Sequence, residues 1–314
     1  MTTTSQDESR PQLDVCVVIP TRGRPQLVKR AVRSALSQTL PPAEVVVVVD
    51  GPDEVTEAAL EDLADPRLQV LVKERSGGAA AARNTGVRAT HCSWIAFLDD
   101  DDEWVPEKLA AQQAQLLGAA DRETTVFATG VEWRVDQSSF RYPLRKIEPN
   151  ESVGDYLFVR TRPGEGMLAV PSLMLPRQLA LAHPLPEFLR THEEYDWFLD
   201  LQTAGITFSV LLEPLTIVHA PSARTSVSSQ ATWHSSLSWA LRRRNDLGER
   251  AFAAFCLTDV ARAARNSGGP RTFVAIAAMA LTARPSPFEL VRFLLSWLVP
   301  QRTRWRFSSQ RVRM

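Results

Sequence analysis

Four aspartates in a row, Asp99–Asp102, close a short apolar run in the stretch FLDDDDEW (97–104). Clustered carboxylates repel one another, and a divalent cation relieves that repulsion. Hard oxygen donors suit Mg²⁺ or Mn²⁺, which keep several waters and take further ligands from phosphates. On an extended stretch, carboxylates at i and i+2 point the same way, so Asp99 and Asp101 are expected to face a common ligand. A solvated acidic turn ahead of the next helix has the same composition, whereas the loop glycine and terminal glutamate of an EF-hand are absent at the required spacing. Other chemistry-bearing residues lie nearby in pattern: Arg22 and Arg24 in PTRGRP (20–25), where they can meet a base or a phosphate, and Asp50 after five valines, able to accept from a ring N–H. Arg83-Asn84 lies in SGGAAAARNTG (76–86), where it brings positive charge toward the acidic run.

These residues need elements to position them. Leu13–Ile19 is a nearly continuous apolar run stopped by Pro20, followed by helical spacing over Pro25–Leu40. Val45–Val49 reads as a strand buried on both faces and ended by Asp50-Gly51-Pro52. A helix at Glu54–Leu63, a strand at Leu68–Val72, an Ala/Gly-rich helix packed tightly on a sheet, and a strand at Trp94–Leu98 complete an alternating series. Such alternation predicts a mostly parallel sheet with ligands at the carboxyl ends of its strands, where Asp50 and Asp99–Asp102 both fall. Further on, a helix is expected at Pro106–Leu117, strands at Val126–Val135, Leu168–Leu175, Ile206–Leu212 and Leu215–His219, and a helix at Thr191–Gly205 with Thr191 as its N-cap. No internal repeat is present.

The 314 residues and 44% hydrophobic content are ample for a large core. The net charge is zero, yet from Leu241 onward 14 Arg stand against 4 Asp/Glu, a local excess of +10. That end is suited to an anionic surface. MTTTSQDESRPQLD lacks the basic-then-apolar order of a secretory signal, which leads to the expectation of a cytoplasmic protein. Cys16, Cys92 and Cys256 are far apart, without metal-ligand spacing, and are expected to be buried thiols.

As a set, VCVVIPTRGRP, the lone Asp50, SGGAAAARNTG and FLDDDDEWVPEKL resemble, in order and spacing, the glycosyltransferase family 2 enzymes over roughly residues 13–220. The resemblance implies an α/β GT-A (Rossmann-like) fold, a mostly parallel sheet flanked by helices, and inverting transfer from a nucleoside-diphosphate sugar, with UDP the expected nucleotide. It implies a D-x-D-type motif in which Asp99 and Asp100 lie at the donor, Asp101 holds Mn²⁺ or Mg²⁺, and Asp102 is a further nearby acid. Pro20, Thr21, Arg22, Arg24, Asp50 and Arg83 would line the donor nucleotide, Asp50 reading the base. HEEYDWFLDL (192–201) resembles the segment that supplies the general base, with Glu194 in the usual position and Asp196 in reserve; the family more often carries aspartate there. His219 falls where relatives carry a group near metal and diphosphate.

The implied organisation is a disordered N-terminus (1–12), a catalytic domain (13–225) with a nucleotide-sugar half (13–118) and an acceptor half (119–225), and a basic helical C-terminal extension (226–314). The acceptor is expected to be a glycan or glycolipid hydroxyl, with no nucleic-acid partner. Two apolar stretches, Thr272–Ala283 and Pro287–Val299, are too short and interrupted to span a bilayer, and with QRTRWRFSSQRVRM they resemble an interfacial anchor. A helical cap on the catalytic domain or on a second subunit fits the same pattern. A sugar-phosphate nucleotidyltransferase would carry a Gly-rich phosphate loop after the first strand, where PTRGRP has one glycine. A phosphatase with an aspartyl nucleophile would carry its acids after that strand, which ends instead in Pro20-Thr21. A catalytically inactive nucleotide- or glycan-binding relative would share every motif except a working base.

Overall fold

A computed structural model describes residues 13–220, 232–264, 269–283 and 285–298. The expectations for residues 1–12 and for the QRTRWRFSSQRVRM segment (301–314) lie outside these. The first half alternates β1 (Val15–Thr21), α1 (Pro25–Leu36), β2 (Glu44–Val49), α2 (Glu54–Glu61), β3 (Leu68–Val72), α3 (Ala79–Ala89) and β4 (Trp94–Phe97). These strands are parallel and lie in the order β3-β2-β1-β4. Helices cover both faces, which is why Val45–Val49 can be unbroken valine: all five side chains are fully buried. Alternate valines enter opposite cores, Val46 and Val48 on one face and Val45, Val47 and Val49 on the other. The α3 helix lies so close to the sheet that a Cβ at Gly86 would be 2.5 Å from Val18 Cγ1. The winding reverses between β1 and β4, and a doubly wound sheet opens a crevice at the carboxyl ends flanking such a reversal.

The second half adds β5 (Glu103–Trp104), α4 (Lys108–Leu117), β6 (Thr125–Val135), β7 (Ser138–Tyr142), α5 (Val153–Phe158), β8 (Leu173–Pro176), α6 (Arg177–Ala182), α7 (Glu193–Thr203) and β9 (Thr207–His219). The sheet continues β4-β8-β6-β9-β5, with β7 paired to β6. β8 is antiparallel to β4 and β6, and β9 is parallel to β6. Helices α8 (Trp233–Arg242), α9 (Arg244–Phe255), a π-helical turn (Cys256–Val260), α10 (Ala261–Ala264), α11 (Pro270–Leu281) and α12 (Pro287–Leu298) follow. No described helix is long and apolar enough to cross a membrane.

Several expected boundaries move for identifiable reasons. Ile206–Leu212 and Leu215–His219 form one strand, because the irregularity at Gly130 of β6 opposite Pro214 absorbs the break that proline suggests. The strand expected from Leu168 begins at Leu173, since Pro171 sits in a tight turn at Val170–Ser172 and has no N–H for a ladder. Glu103 and Trp104 pair with Ile217 and Thr216 of β9, so the following helix begins at Lys108 rather than Pro106. The α7 helix is capped at His192, not Thr191; His192 is left-handed, with φ 66°, and gives no side-chain cap bond. All three cysteines are buried free thiols.

Candidate active site

The carboxyl ends of β1, β2 and β4 and the start of α3 converge at the switch point. Asp50 follows β2 and uses both carboxylate oxygens inside the protein. Oδ1 accepts from Lys73 Nζ (2.7 Å) and Gly77 N (2.9 Å), and Oδ2 from Ser76 Oγ (2.6 Å) and Gly78 N (2.8 Å). The backbone donors at the entrance to α3 favour an anion, and these bonds hold Asp50 at about 2 despite its burial. A carboxylate offers about four acceptor directions. Asp50 therefore organises residues 73–78, and to read a base it must exchange one of these donors. Arg22 donates to Ser76 Oγ, tying the β1 loop to the same cradle.

The aspartate run is a turn rather than an extended stretch: Asp102 N donates to Asp99 O at 3.1 Å. The i, i+2 expectation is thereby corrected, because a reversal here lets each carboxylate take a different direction. Asp99 pairs with Arg83 of α3. Asp100, 5% exposed, accepts from Thr21 Oγ1 and from Arg24 Nη1, both at 2.8 Å, and so locks the β1 loop to the turn. Asp101 is 3.3 Å from Arg24 Nη1. Asp102 is buried and accepts from the backbone N of His219 (3.1 Å); burial, with Asp99 and Asp101 beside it, pushes its carboxyl well above the usual range. Pro20 is a buried strand residue paired with Val48, one position before Thr21.

Arg83 is the charge that joins this turn to the second half. Its side chain is buried and pairs with Asp99, while its Nε has no hydrogen-bond partner. A buried guanidinium N–H without an acceptor is costly unless a ligand supplies one. Arg83 also lies within electrostatic reach of Glu193 and Glu194 at the start of α7. Burial raises Glu194 to about 7; Asp99 and Glu193 push the same way and Arg83 opposes them. Asn84, one residue along α3, fixes the approach to α7 by bonding Leu185 N (3.0 Å), Leu185 O (2.9 Å) and Glu187 Oε1 (2.9 Å).

Asp196 is not brought into this constellation. It turns to the C-terminal helices, where Oδ1 accepts from Trp239 Nε1 at 2.8 Å and Oδ2 lies 3.7 Å from Arg243. His219 ends β9 with Nε2 2.7 Å from Glu103 Oε1, beside the Asp102 end of the turn. Among the described residues no three His, Cys, Asp or Glu side chains form a ready metal cage.

The glycosyl transferase family 2 model matches residues 16–182, more than half of the chain. The chain belongs to glycosyltransferase family 2. An uncharacterized glycosyltransferase of Haemophilus influenzae is 28% identical over 218 residues, covering 69% of this chain and 71% of that protein. The Escherichia coli protein named UDP-Glc:alpha-D-GlcNAc-diphosphoundecaprenol beta-1,3-glucosyltransferase WfgD is 32% identical over 103 residues, 33% of this chain and 41% of WfgD. Among solved structures, Staphylococcus aureus TarS 1-349 in complex with UDP-GlcNAc superposes with a TM-score of 0.61 at 14% identity, covering 94% of this chain and 92% of that one. At that identity the likeness speaks for the GT-A-like fold.

Within this family 2 chain, three site residues escape a reading of the sequence alone. Lys73 follows β3 as Asp50 follows β2, and its place at a strand's carboxyl end is the signal that finds it. Arg30, on the inner side of α1, donates to the backbone O of Asp101 and pairs with Glu103 at 3.3 Å. Nothing in the helical spacing of α1 marks it. His192 stacks beside Tyr195 and Trp239 and bonds Ser236 Oγ at 2.9 Å.

Proposed function

We propose that this glycosyltransferase inverts the anomeric centre of a UDP-sugar and transfers the sugar to a glycan or lipid-linked hydroxyl in polysaccharide assembly. The observation that carries this reading is Glu194: a carboxylate raised to about 7, within electrostatic reach of Arg83 and Asp99 at the switch point. A base is most effective when its pKa lies near the working pH. The names of WfgD and of the TarS complex, each carrying a UDP-sugar, support the choice of nucleotide.

Residues 13–118 form the donor half and 119–225 the acceptor half, with 226–314 as the helical extension. Arg22 and Arg24 lie at the mouth of the donor cradle that Asp50 holds together. Thr21 and Asp100 fix that loop, and Asp99 faces the donor's ribose or sugar. Arg83 offers its unpartnered Nε–H to an oxygen of the diphosphate. The acceptor hydroxyl gives its proton to Glu194 as its oxygen attacks the anomeric carbon from the face opposite the departing UDP. Inversion follows from that single displacement.

The acidic turn fits Mg²⁺ or Mn²⁺. Its donors are hard oxygens, burial together with the neighbouring Asp99 and Asp101 raises Asp102, and the described residues bring too few ligands to complete a shell without the diphosphate and water. Asp101 is the residue that would hold the ion, which would neutralise charge on the leaving diphosphate. His219, whose Nε2 is held by Glu103, would keep Nδ1 for the ion. The test is a panel of UDP-, GDP- and dTDP-sugars followed by calorimetry and by product release with and without Mn²⁺. Selective binding of UDP-sugars is expected, and failure of every donor to bind overturns the reading.

A further inference from the structure

We propose that the paired outer faces of α11 and α12 are a docking surface for an anionic lipid bilayer. Soluble helices place apolar residues on the stripe that faces the core and polar residues on the other. Here the inner stripe is apolar and used: Ile276, Ala280 and Phe293 are buried, and Phe273 stacks on Phe293 with ring centroids 4.7 Å apart. The outer stripe is apolar as well. On α11 it runs through Val274 (62% exposed), Ala278 and Leu281 (54%), and on α12 through Pro287, Val291 (51%) and Leu294 (47%). Both follow helical spacing of i, i+4, i+7.

Charge decides which occupant this surface fits. From Pro270 to Met314 the sequence holds 8 Arg, no Lys and a single acid, Glu289. Glu289 is 2% exposed and spent internally, accepting from Ser286 N (2.7 Å) and Arg160 N (3.3 Å). Among its described residues the segment shows exposed Arg271, half-buried Arg292 and hydrocarbon, without an exposed carboxylate. A second copy would bring the same positive excess against itself, whereas anionic headgroups over acyl chains complement both features. Each helix is 12 residues, about 18 Å long, so the pair lies on a bilayer and does not span it. The face also connects to the acceptor side of the cleft. Glu289 and Ser286 hold Arg160, just beyond α5, and Phe158 of α5 packs edge-on against Tyr195, the neighbour of Glu194, at 5.0 Å.

The full-length protein is mixed with phosphatidylcholine vesicles and with vesicles in which phosphatidylglycerol replaces part of the phosphatidylcholine, then separated by flotation. Binding is expected to the second kind only, to weaken as salt is raised, and to fall at least about tenfold in Val291→Glu/Leu294→Glu. Unchanged circular dichroism and UDP binding show that the variant is folded. Quenching of the wild-type tryptophan emission by brominated acyl chains gives a readout that needs no variant. No flotation with anionic vesicles, equal flotation of the variant, or a concentration-dependent dimer that the variant abolishes in a protein that ignores vesicles each overturns the proposal. The assay contains no sugar donor, so its result is independent of the glycosyl-transfer reading.

Discussion

Replacing Glu194 with glutamine keeps the size of the side chain and deletes its ability to take a proton. With Glu194 at about 7, about a tenth of the base is available at pH 6 and about nine-tenths at pH 8, so kcat/KM is expected to rise about tenfold across that interval. In Glu194→Gln the turnover should fall by about 10²–10⁴ and this ascending limb should vanish, while donor affinity stays within about twofold. Asp99→Asn gives an internal check: it removes a charge that raises Glu194 and leaves Arg83, which lowers it, so the limb should move toward lower pH. The same burial has a cost in stability. A carboxyl raised in the folded state contributes stability that is fully present below its ordinary value of 4.5 and is lost as the pH rises through about 7. The full shift is worth about 3 kcal/mol, and partial exposure reduces it to about 2. Glu194→Gln should therefore be more stable than the wild type at pH 8 and no more stable at pH 4. Initial rates from pH 5 to 9 and denaturant midpoints at pH 4 and pH 8 read both effects. A variant that retains wild-type turnover together with its pH limb refutes the assignment of Glu194 as the base.

Asp50→Asn should destabilise the fold by about 2 kcal/mol at pH 7 and abolish donor binding, because an amide cannot accept from all of Lys73, Ser76, Gly77 and Gly78. Asp50 is depressed to about 2, so its contribution is present above the ordinary 3.8 and lost as the pH falls through about 2; urea midpoints should converge with the wild type in that range. Removal of divalent ions with EDTA should lower transfer at least about tenfold and added Mn²⁺ should restore it, whereas activity indifferent to both dismisses the ion. Trp239→Phe keeps an aromatic side chain but removes the donor to buried Asp196 and part of the buried ring volume, at a cost of at least about 1–3 kcal/mol in thermal unfolding, with turnover per folded molecule changed far less than in Glu194→Gln.

The donor half was legible because its signals are local. Five buried valines ending in Asp50, and an apolar strand ending in Asp99–Asp102, state both the strand and its carboxyl-end ligand surface within ten residues. Alternation states that these four strands are parallel, but their order, β3-β2-β1-β4, is fixed neither by alternation nor by crossover handedness. What the sequence concealed is set by partners far along the chain. The two-residue strand Glu103–Trp104 exists only because β9 passes beside it. The direction of each aspartate depends on Thr21, Arg24, Arg83 and the backbone of His219, up to 117 positions away. Asp196 and Glu194 both sit in an acidic first turn, and the position of α8 gives them different surroundings.

The contacts of α8 with Asp196 give the C-terminal helices a structural task. The α7 helix presents Glu194 to the cleft from a start that is strained, since His192 is a non-glycine residue in the left-handed region. Such a conformation persists when its surroundings over-determine it. Here α8 does so: Ser236 holds the His192 ring, Trp239 and Arg243 hold Asp196, and Arg243 reaches Asp200 at 2.7 Å. Phe255 closes the ring cluster 5.4 Å from His192. His192, Asp196 and Asp200, on one side of the helix, are thus clamped by the extension, while Glu194 lies on another side. A carboxylate desolvated until it titrates at about 7 pulls against the stability of its own helix, and these contacts offset that tendency.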